Sequence, residues 1–277
     1  MSDVNAGVRM GTWPCRAVVS VATATVLLSG CGLGDDGKAN GERSSAPSKS
    51  TTASASPSGG DASLPPPFRA DPAKVPRTKS RAEALAAAVT LKPQGWGAGF
   101  RAQQPAVSTP GTVAVLNEQC RWERQALPKG VLASLSRYSE IPAADGKGEV
   151  KVTASVTVHR TVRDADERLA STLEEPLRCR QQQVRTDEWI TELISAASPY
   201  GQGNNTYADD HVVEIGKYVT GKSEQTYRWY VTRLGTVTLA VSVKGAEGYT
   251  ANELDKYAAN ANGVMINTVE FELGGDT

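Results

Sequence analysis

Gly216-Lys217-Tyr218-Val219-Thr220-Gly221-Lys222-Ser223 matches the phosphate-cradling pattern G-x4-G-K-S letter for letter. That chemistry needs a strand before the glycines and a helix after them, so that the N–H groups at the helix start face the phosphate. Here the middle letters are themselves strand-like, and another strand signal starts at Tyr227. Thr220 to Ser223 therefore reads as a hairpin turn. Asp209-Asp210-His211, with Glu214 nearby, holds the residue types of a metal or acid–base cluster. Side chains alternate along a strand, which places Asp209 and His211 on one face and Asp210 on the other. Two ligands do not make a metal site, and acids before a strand are expected to be solvated. The other histidine, His159, falls on the wet side of its strand by parity. The sequence from residue 80 onward has no G-x-S-x-G, H-E-x-x-H or S-x-x-K arrangement, so no catalytic residue, metal or cofactor is expected. Arg178, Arg180 and Arg185, with Gln181, Gln182 and Gln183, form a basic stretch. A solvated helix end is the expectation there, with contact to anionic wall polymer or lipid headgroups as the alternative. Residues 198–205 are rich in Gly and Asn. With Tyr200, Tyr207, Trp96 and Trp189 they make the candidate binding rim, core plugs being the alternative for these aromatics.

The N-terminus carries an address. Arg9 and Arg16 precede AVVSVATATVLL at 17–28, a run without charge. It is too short to span a hydrocarbon core, which takes ~20 helical residues, and it fits the apolar region of a secretory signal. Leu28-Ser29-Gly30-Cys31 follows. It resembles the lipobox of bacterial lipoproteins: an apolar residue, two small residues, then Cys. The resemblance implies that residues 1–30 are removed as a signal peptide and that the Cys31 thiol receives diacylglycerol. The chain would then be held on the extracytoplasmic face of the cell membrane, since two or more acyl chains anchor durably. Removal takes Arg9, Arg16 and Asp3 from totals of 30 basic and 30 acidic residues, leaving a net charge near −1. Such a balance argues against nucleic acid as partner. Residues 31–79 hold the lipidated Cys31 and a Ser/Ala/Gly/Pro-rich linker with too little apolar surface to fold. As a coil it would extend roughly 40 Å. Cys15 leaves with the signal and Cys31 takes lipid, so Cys120 and Cys179 remain as a pair in an oxidising compartment. One disulfide is expected.

Residues 80–277 form the folded part. Ser80 to Glu83 reads as a capping box that opens a short helix. Strands are expected at 113–117, 132–141 and 149–159. The last is the clearest: Val150, Val152, Ala154, Val156 and Val158 alternate with polar partners, which predicts one buried and one wet face. Asp164 and Glu167 open a second helix, bent or ended by Pro176. Strands at 211–219, 227–234 and 236–244 follow, the last two joined at Leu234-Gly235. Thr250 to Glu253 caps a closing helix with an apolar stripe from Leu254 to Met265. The fold class is α+β: an antiparallel sheet with helices on one face.

Four features carry a resemblance: Cys120-Arg121-Trp122 after a short strand, Leu177-Arg178-Cys179 at a helix end, Tyr227-Arg228-Trp229-Tyr230, and the closing helix. On these the domain resembles extracytoplasmic domains of actinobacterial cell-wall lipoproteins and the sensor domains of membrane Ser/Thr kinases, and more remotely PsbP-like sandwiches. The reading is a sensor-like or ligand-binding module without catalysis. The alternative is a protein–protein interaction or cell-envelope accessory lipoprotein with no small ligand. The ligand or envelope partner is not specified by the sequence.

Overall fold

The computed structural model describes residues 68–197 and 208–274. The signal, Cys31, most of the linker, Tyr200 and Tyr207 lie outside the described residues. The described residues form four helices and ten strands. Helix α1 (Lys79–Val89) is capped by Thr78, whose side chain accepts from the Arg81 N–H, so the cap stands two residues before the expected Ser80. The single turn α2 (Pro93–Trp96) follows. Helix α3 (Val162–Arg178) begins at a Thr161–Asp164 capping box, one turn earlier than the Asp164–Glu167 start expected. Pro176 does not end α3, because it stands in the last turn and the Cys179 N–H still reaches Glu175 O at 2.8 Å. Helix α4 (Ala251–Leu273) starts at the expected Thr250–Glu253 box.

Strands β1 (Arg101–Val107), β4 (Val131–Ile141), β5 (Val150–His159), β6 (Gln181–Arg185), β7 (Glu188–Ala197), β8 (Asp210–Thr220), β9 (Ser223–Leu234) and β10 (Val237–Lys244) form one antiparallel sheet. Their order is β1-β4-β5-β10-β9-β8-β7-β6. Strands β2 (Thr112–Leu116) and β3 (Trp122–Ala126) make a separate hairpin. The α+β class holds, with four strands that the sequence reading missed: β1, β3, β6 and β7. Two of these, β1 and β6, are polar edges without alternation, and β1 tolerates Pro105 because an edge needs fewer donors. In β7 a left-handed Glu192 (φ 54°) breaks the register between Thr191 and Ile194 and scrambles the period. Gly221 (φ 57°) and Gly235 (φ 56°) turn the two tight hairpins, a backbone region that favours glycine. Ser223 accordingly opens a strand and not a helix, so the phosphate-loop letters have no helix N-terminus behind them.

The sheet is covered on both faces, which corrects the single helical layer expected. On one face Val152, Ala154, Val156 and Val158 of β5 pair in register with Val243, Val241, Leu239 and Val237 of β10. Helices α1 and α4 close over these rows and complete a dry core. On the other face the partners are Lys151 with Lys244, Thr153 with Ser242, Ser155 with Ala240 and Thr157 with Thr238. This face is not wet. Helix α3 and the β2–β3 hairpin roof it, and His159 is buried with Nε2 3.0 Å from Thr238 Oγ1. Among the described residues no helix is long and apolar enough to cross a membrane.

Candidate functional site

Between the polar face and its roof lies a cavity of about 290 Å³. Its floor is a grid of hydroxyls set by strand register: Ser134 opposite Thr157, Ser136 opposite Ser155, Thr153 opposite Ser242. Ser155 Oγ donates to Ser136 Oγ at 2.7 Å, and Ser134 and Thr157 lie 3.0 Å apart. Trp229 stands in the same row as Ser242, and Val231 beside Ala240. A second space of about 240 Å³ shares Val113, Ala114, Thr157 and Arg168 with the first and runs on beneath the start of α3.

The roof is strapped in place. Cys120 and Cys179 form a disulfide with 5.5 Å between their Cα atoms, as expected, tying the start of β3 to the end of α3. The Gln183 N–H donates to Cys120 O at 2.8 Å, and Arg178 reaches Leu116 O and Asn117 O at 3.0 and 2.9 Å. Trp122 donates from Nε1 to Gln182 Oε1 at 2.9 Å and meets Trp229 edge-on at 5.4 Å. Its ring, with the N–H engaged, faces the cavity. Arg124 hangs from the hairpin beside it. Its Nε and Nη2 fork onto Thr112 Oγ1 and O at 2.7 and 2.6 Å, and Nη1 donates to Ser136 Oγ at 3.3 Å.

Charge is distributed unevenly around this space. At one end a single carboxylate serves three cations: Glu188 lies 2.9 Å from Lys244, 3.2 Å from Lys151 and 3.5 Å from Arg185. Burial alone would raise the Glu188 carboxyl, but Lys244 and its neighbours overcome that and hold it at about 2. Burial also lowers Lys244, against the pull of Glu188. Two lysines directly opposite across β5 and β10 would repel, and Glu188 sits on both. On α3, Arg168 pairs with Glu175 at 2.9 Å. Arg124 has no carboxylate partner among the described residues; every group holding it is neutral.

Behind Tyr227 and Trp229 the α3–sheet interface buries a second carboxyl. Glu214 is 0% exposed, takes a 2.8 Å hydrogen bond from Ser195, and is pushed by burial up to about 7, with the Glu175 charge adding to the rise. Tyr227 is raised well above its ordinary value, chiefly by burial. Neither Glu214 nor Glu175 opens on the cavity.

The expected rim is not assembled. Trp96 is buried in the apolar layer, 5.8 Å from Phe100, on the far side of the sheet. Trp189 is 37% exposed and stands on the opposite face of β7 from Ile190, which lines the cavity. Of the basic stretch, Arg185 lines the cavity and Arg178 fastens the roof. Asp209 and His211 do not share a face. Asp209 turns to Arg233 and the Gly235 N–H, whereas His211 Nδ1 meets Thr232 Oγ1 at 2.7 Å in the α4 layer. Burial lowers His211 to about 4. Among the described residues no cluster of three or more His, Cys, Asp or Glu could hold a metal ion. The residues that sequence reasoning missed are Trp122, Arg124, Arg168 and Trp229. The signal for part of the site was present: parity puts Lys151, Thr153, Ser155 and Thr157 on one face. No protein-family model matches this chain, and no curated protein matches it in sequence.

Proposed function

We propose that this chain is a ligand-binding module without catalysis, held on the extracytoplasmic face of a cell membrane by a diacylglyceryl group on Cys31. One observation carries the reading. On the second face of the sheet a cavity floored by hydroxyls, under a strapped roof, lies beside a smaller apolar cluster that includes Leu169, Ile190, Val212 and Val231. Pockets of a few hundred Å³ with a few fixed polar groups are the usual form of small-molecule sites. The address supports the placement: the apolar run 17–28, Leu28-Ser29-Gly30-Cys31, and the Ser/Ala/Gly/Pro-rich composition of 32–67. Residues 68–79, expected as linker, instead fold against α4 and lead into α1. A disulfide persists in the oxidising compartment that such a signal leads to. The likeness to envelope lipoproteins and kinase sensor domains, carried by Cys120-Arg121-Trp122 and the Tyr227–Tyr230 strand, agrees with it.

Two measurements on the full chain test the proposal. In detergent phase partitioning, wild type should enter the detergent phase and Cys31→Ala the aqueous phase. Native mass spectrometry should show an added small-molecule mass that disappears on denaturation. Partitioning that ignores Cys31 sinks the anchor. A bare native mass together with a stable complex with an envelope protein favours the accessory-protein alternative.

A further inference from the structure

We infer that the cavity takes a small polyhydroxylated anion, a sugar-sized polyol bearing one carboxylate or phosphate, with the acidic group seated on Arg124 and Ser136. The inference rests on the ligand-binding reading above and names its ligand class.

The sign of the ligand follows from which charges are already met. Lys151, Lys244 and Arg185 all lie within 3.5 Å of Glu188, and Lys151 is also 3.5 Å from Glu149. Arg168 has Glu175. The Glu123 carboxylate also borders the cavity, but it is exposed and taken by Gln125 and Asn117 amides at 2.7 and 2.9 Å. Arg124 remains, permanently charged and half-buried, with only neutral oxygens around it. Its side-on edge, Nε and Nη2, is fixed by Thr112, so the guanidinium is held rigid. Five N–H donors less the three engaged leave one on Nη1 and one on Nη2. Those two remain to donate to a carboxylate or phosphate.

Ser136 completes the seat. Its Oγ accepts from both Ser155 and Arg124, so its own proton has no acceptor among these partners and is left to donate beside the guanidinium. The body of the ligand is set by the rest of the floor. Thr153, Ser155, Thr157 and Ser242 offer groups that both donate and accept, which suits hydroxyls, and Trp122 and Trp229 add apolar surface beside them. Size confines the anion to one end. Lys151 lies four residues along β5 from Ser155, about 13 Å at ~3.3 Å per residue, beyond a single sugar ring.

Calorimetric titration of the full chain in phosphatidylcholine nanodiscs tests this with four probes: glucuronate, glucose 6-phosphate, glucose and glucosamine. The two acids should bind at least about tenfold tighter than the neutral and cationic sugars. Arg124→Gln should lose that advantage, and Arg124→Lys should regain only part, keeping charge without the fork. Ser136→Ala leaves the Thr112 fastening of the hairpin intact; it should keep the melting temperature within a few degrees while weakening acid binding. Nanodiscs containing phosphatidylglycerol should compete with the acids if the natural source is a lipid headgroup, and should not if it is a free acid. Equal binding of glucose and glucuronate, or acid binding unchanged in both Arg124→Gln and Ser136→Ala, overturns the anion seat and leaves the binding module standing. No binding of any probe, with a bare native mass of the wild type, overturns both.

Discussion

The same two strands build opposite surfaces. Along β5 and β10 the even positions of one and the odd positions of the other make a dry valine and leucine layer under α1 and α4. The intervening positions make a layer of hydroxyls and lysines under α3 and a hairpin. The roofs differ in the same way. Helix α4 buries Leu254, Ala258, Ala261, Met265, Ile266, Val269 and Leu273, whereas α3 buries Ala165, Leu169, Thr172 and Glu175 and leaves Leu177 83% exposed. Apolar burial stabilises at roughly 25 cal/mol per Å², so the larger cluster on the α4 side carries the larger share of the domain's stability. The α3 side has a smaller apolar cluster around Leu169, Ile190 and Val212, and a covalent strap and polar contacts fix the geometry of the rest. A sheet with one face committed to packing can keep the other for recognition.

The largest test of that division compares neighbours on opposite faces. Leu239→Ala removes a fully buried side chain of β10 from the apolar core and should cost about 2–5 kcal/mol in urea unfolding. Ser155→Ala removes one hydroxyl contact to Ser136 and should cost about 1 kcal/mol or less. Equal losses would show that both faces carry the fold. Next in size is the strap. Cys120 and Cys179 stand 59 residues apart, and opening that loop as Cys120→Ser with Cys179→Ser should cost about 2–4 kcal/mol. If the strap belongs to the roof, acid binding should weaken more than stability alone explains, while heteronuclear NMR shifts in α4 should hardly move.

How much of this was legible follows from the same contrast. The apolar layer was readable because burial against a helix demands a strict period: β5, β10 and α4 stand where alternation and a cap put them. The polar layer was readable only as parity. Thr153, Ser155 and His159 look the same in sequence whether water or a roof covers them, and the roof is built from pieces without a period. Strand β3 reads Trp122-Glu123-Arg124-Gln125-Ala126, and β6 reads Gln181-Gln182-Gln183-Val184-Arg185. Neither carries a pattern that competes with loop. Aromatics were therefore assigned to a rim by composition. Trp96 proved to be core, and the two tryptophans that do border the cavity, Trp122 and Trp229, are brought together by the disulfide, the roof's hydrogen bonds and the sheet register.

A smaller effect comes from the carboxyl buried under α3. Folded Glu214 keeps its proton up to about 7, while the unfolded chain releases it near 4.5. Between those values the folded state binds more protons, so stability falls as pH rises through the window, on the order of 3 kcal/mol in all. Buried His159 and His211 act in the opposite sense. Both are held at about 4, so below 6.5 the unfolded chain takes protons that the folded one refuses, and stability falls as pH drops. The Glu214 contribution is thus cleanest above pH 6.5, where roughly 1 kcal/mol remains to be lost. Urea midpoints should decline from pH 6.5 to 8.5 in wild type and stay flat in Glu214→Gln. A decline retained in that variant would assign the titration to another group.

The smallest effect separates the two roofs most sharply, because both helices start with the same device. Thr161 caps α3 and Thr250 caps α4, each accepting from the N–H three residues on. Replacing either with Ala should cost its helix about 1 kcal/mol. What differs is which part of the molecule registers the loss. Helix α4 is inseparable from the dry core, so its amides should exchange only when the whole domain opens, and Thr250→Ala should accelerate the slowest amides of β5 and β10 about fivefold. Helix α3 packs on the smaller apolar cluster beside the cavity, so it should open before the rest of the domain. Thr161→Ala should then accelerate α3 amides about fivefold and leave those strands unchanged. Hydrogen exchange that shows α3 and α4 opening together in wild type would mean that the polar face is packed as tightly as the apolar one, and that its cavity is a gap in a core instead of a site.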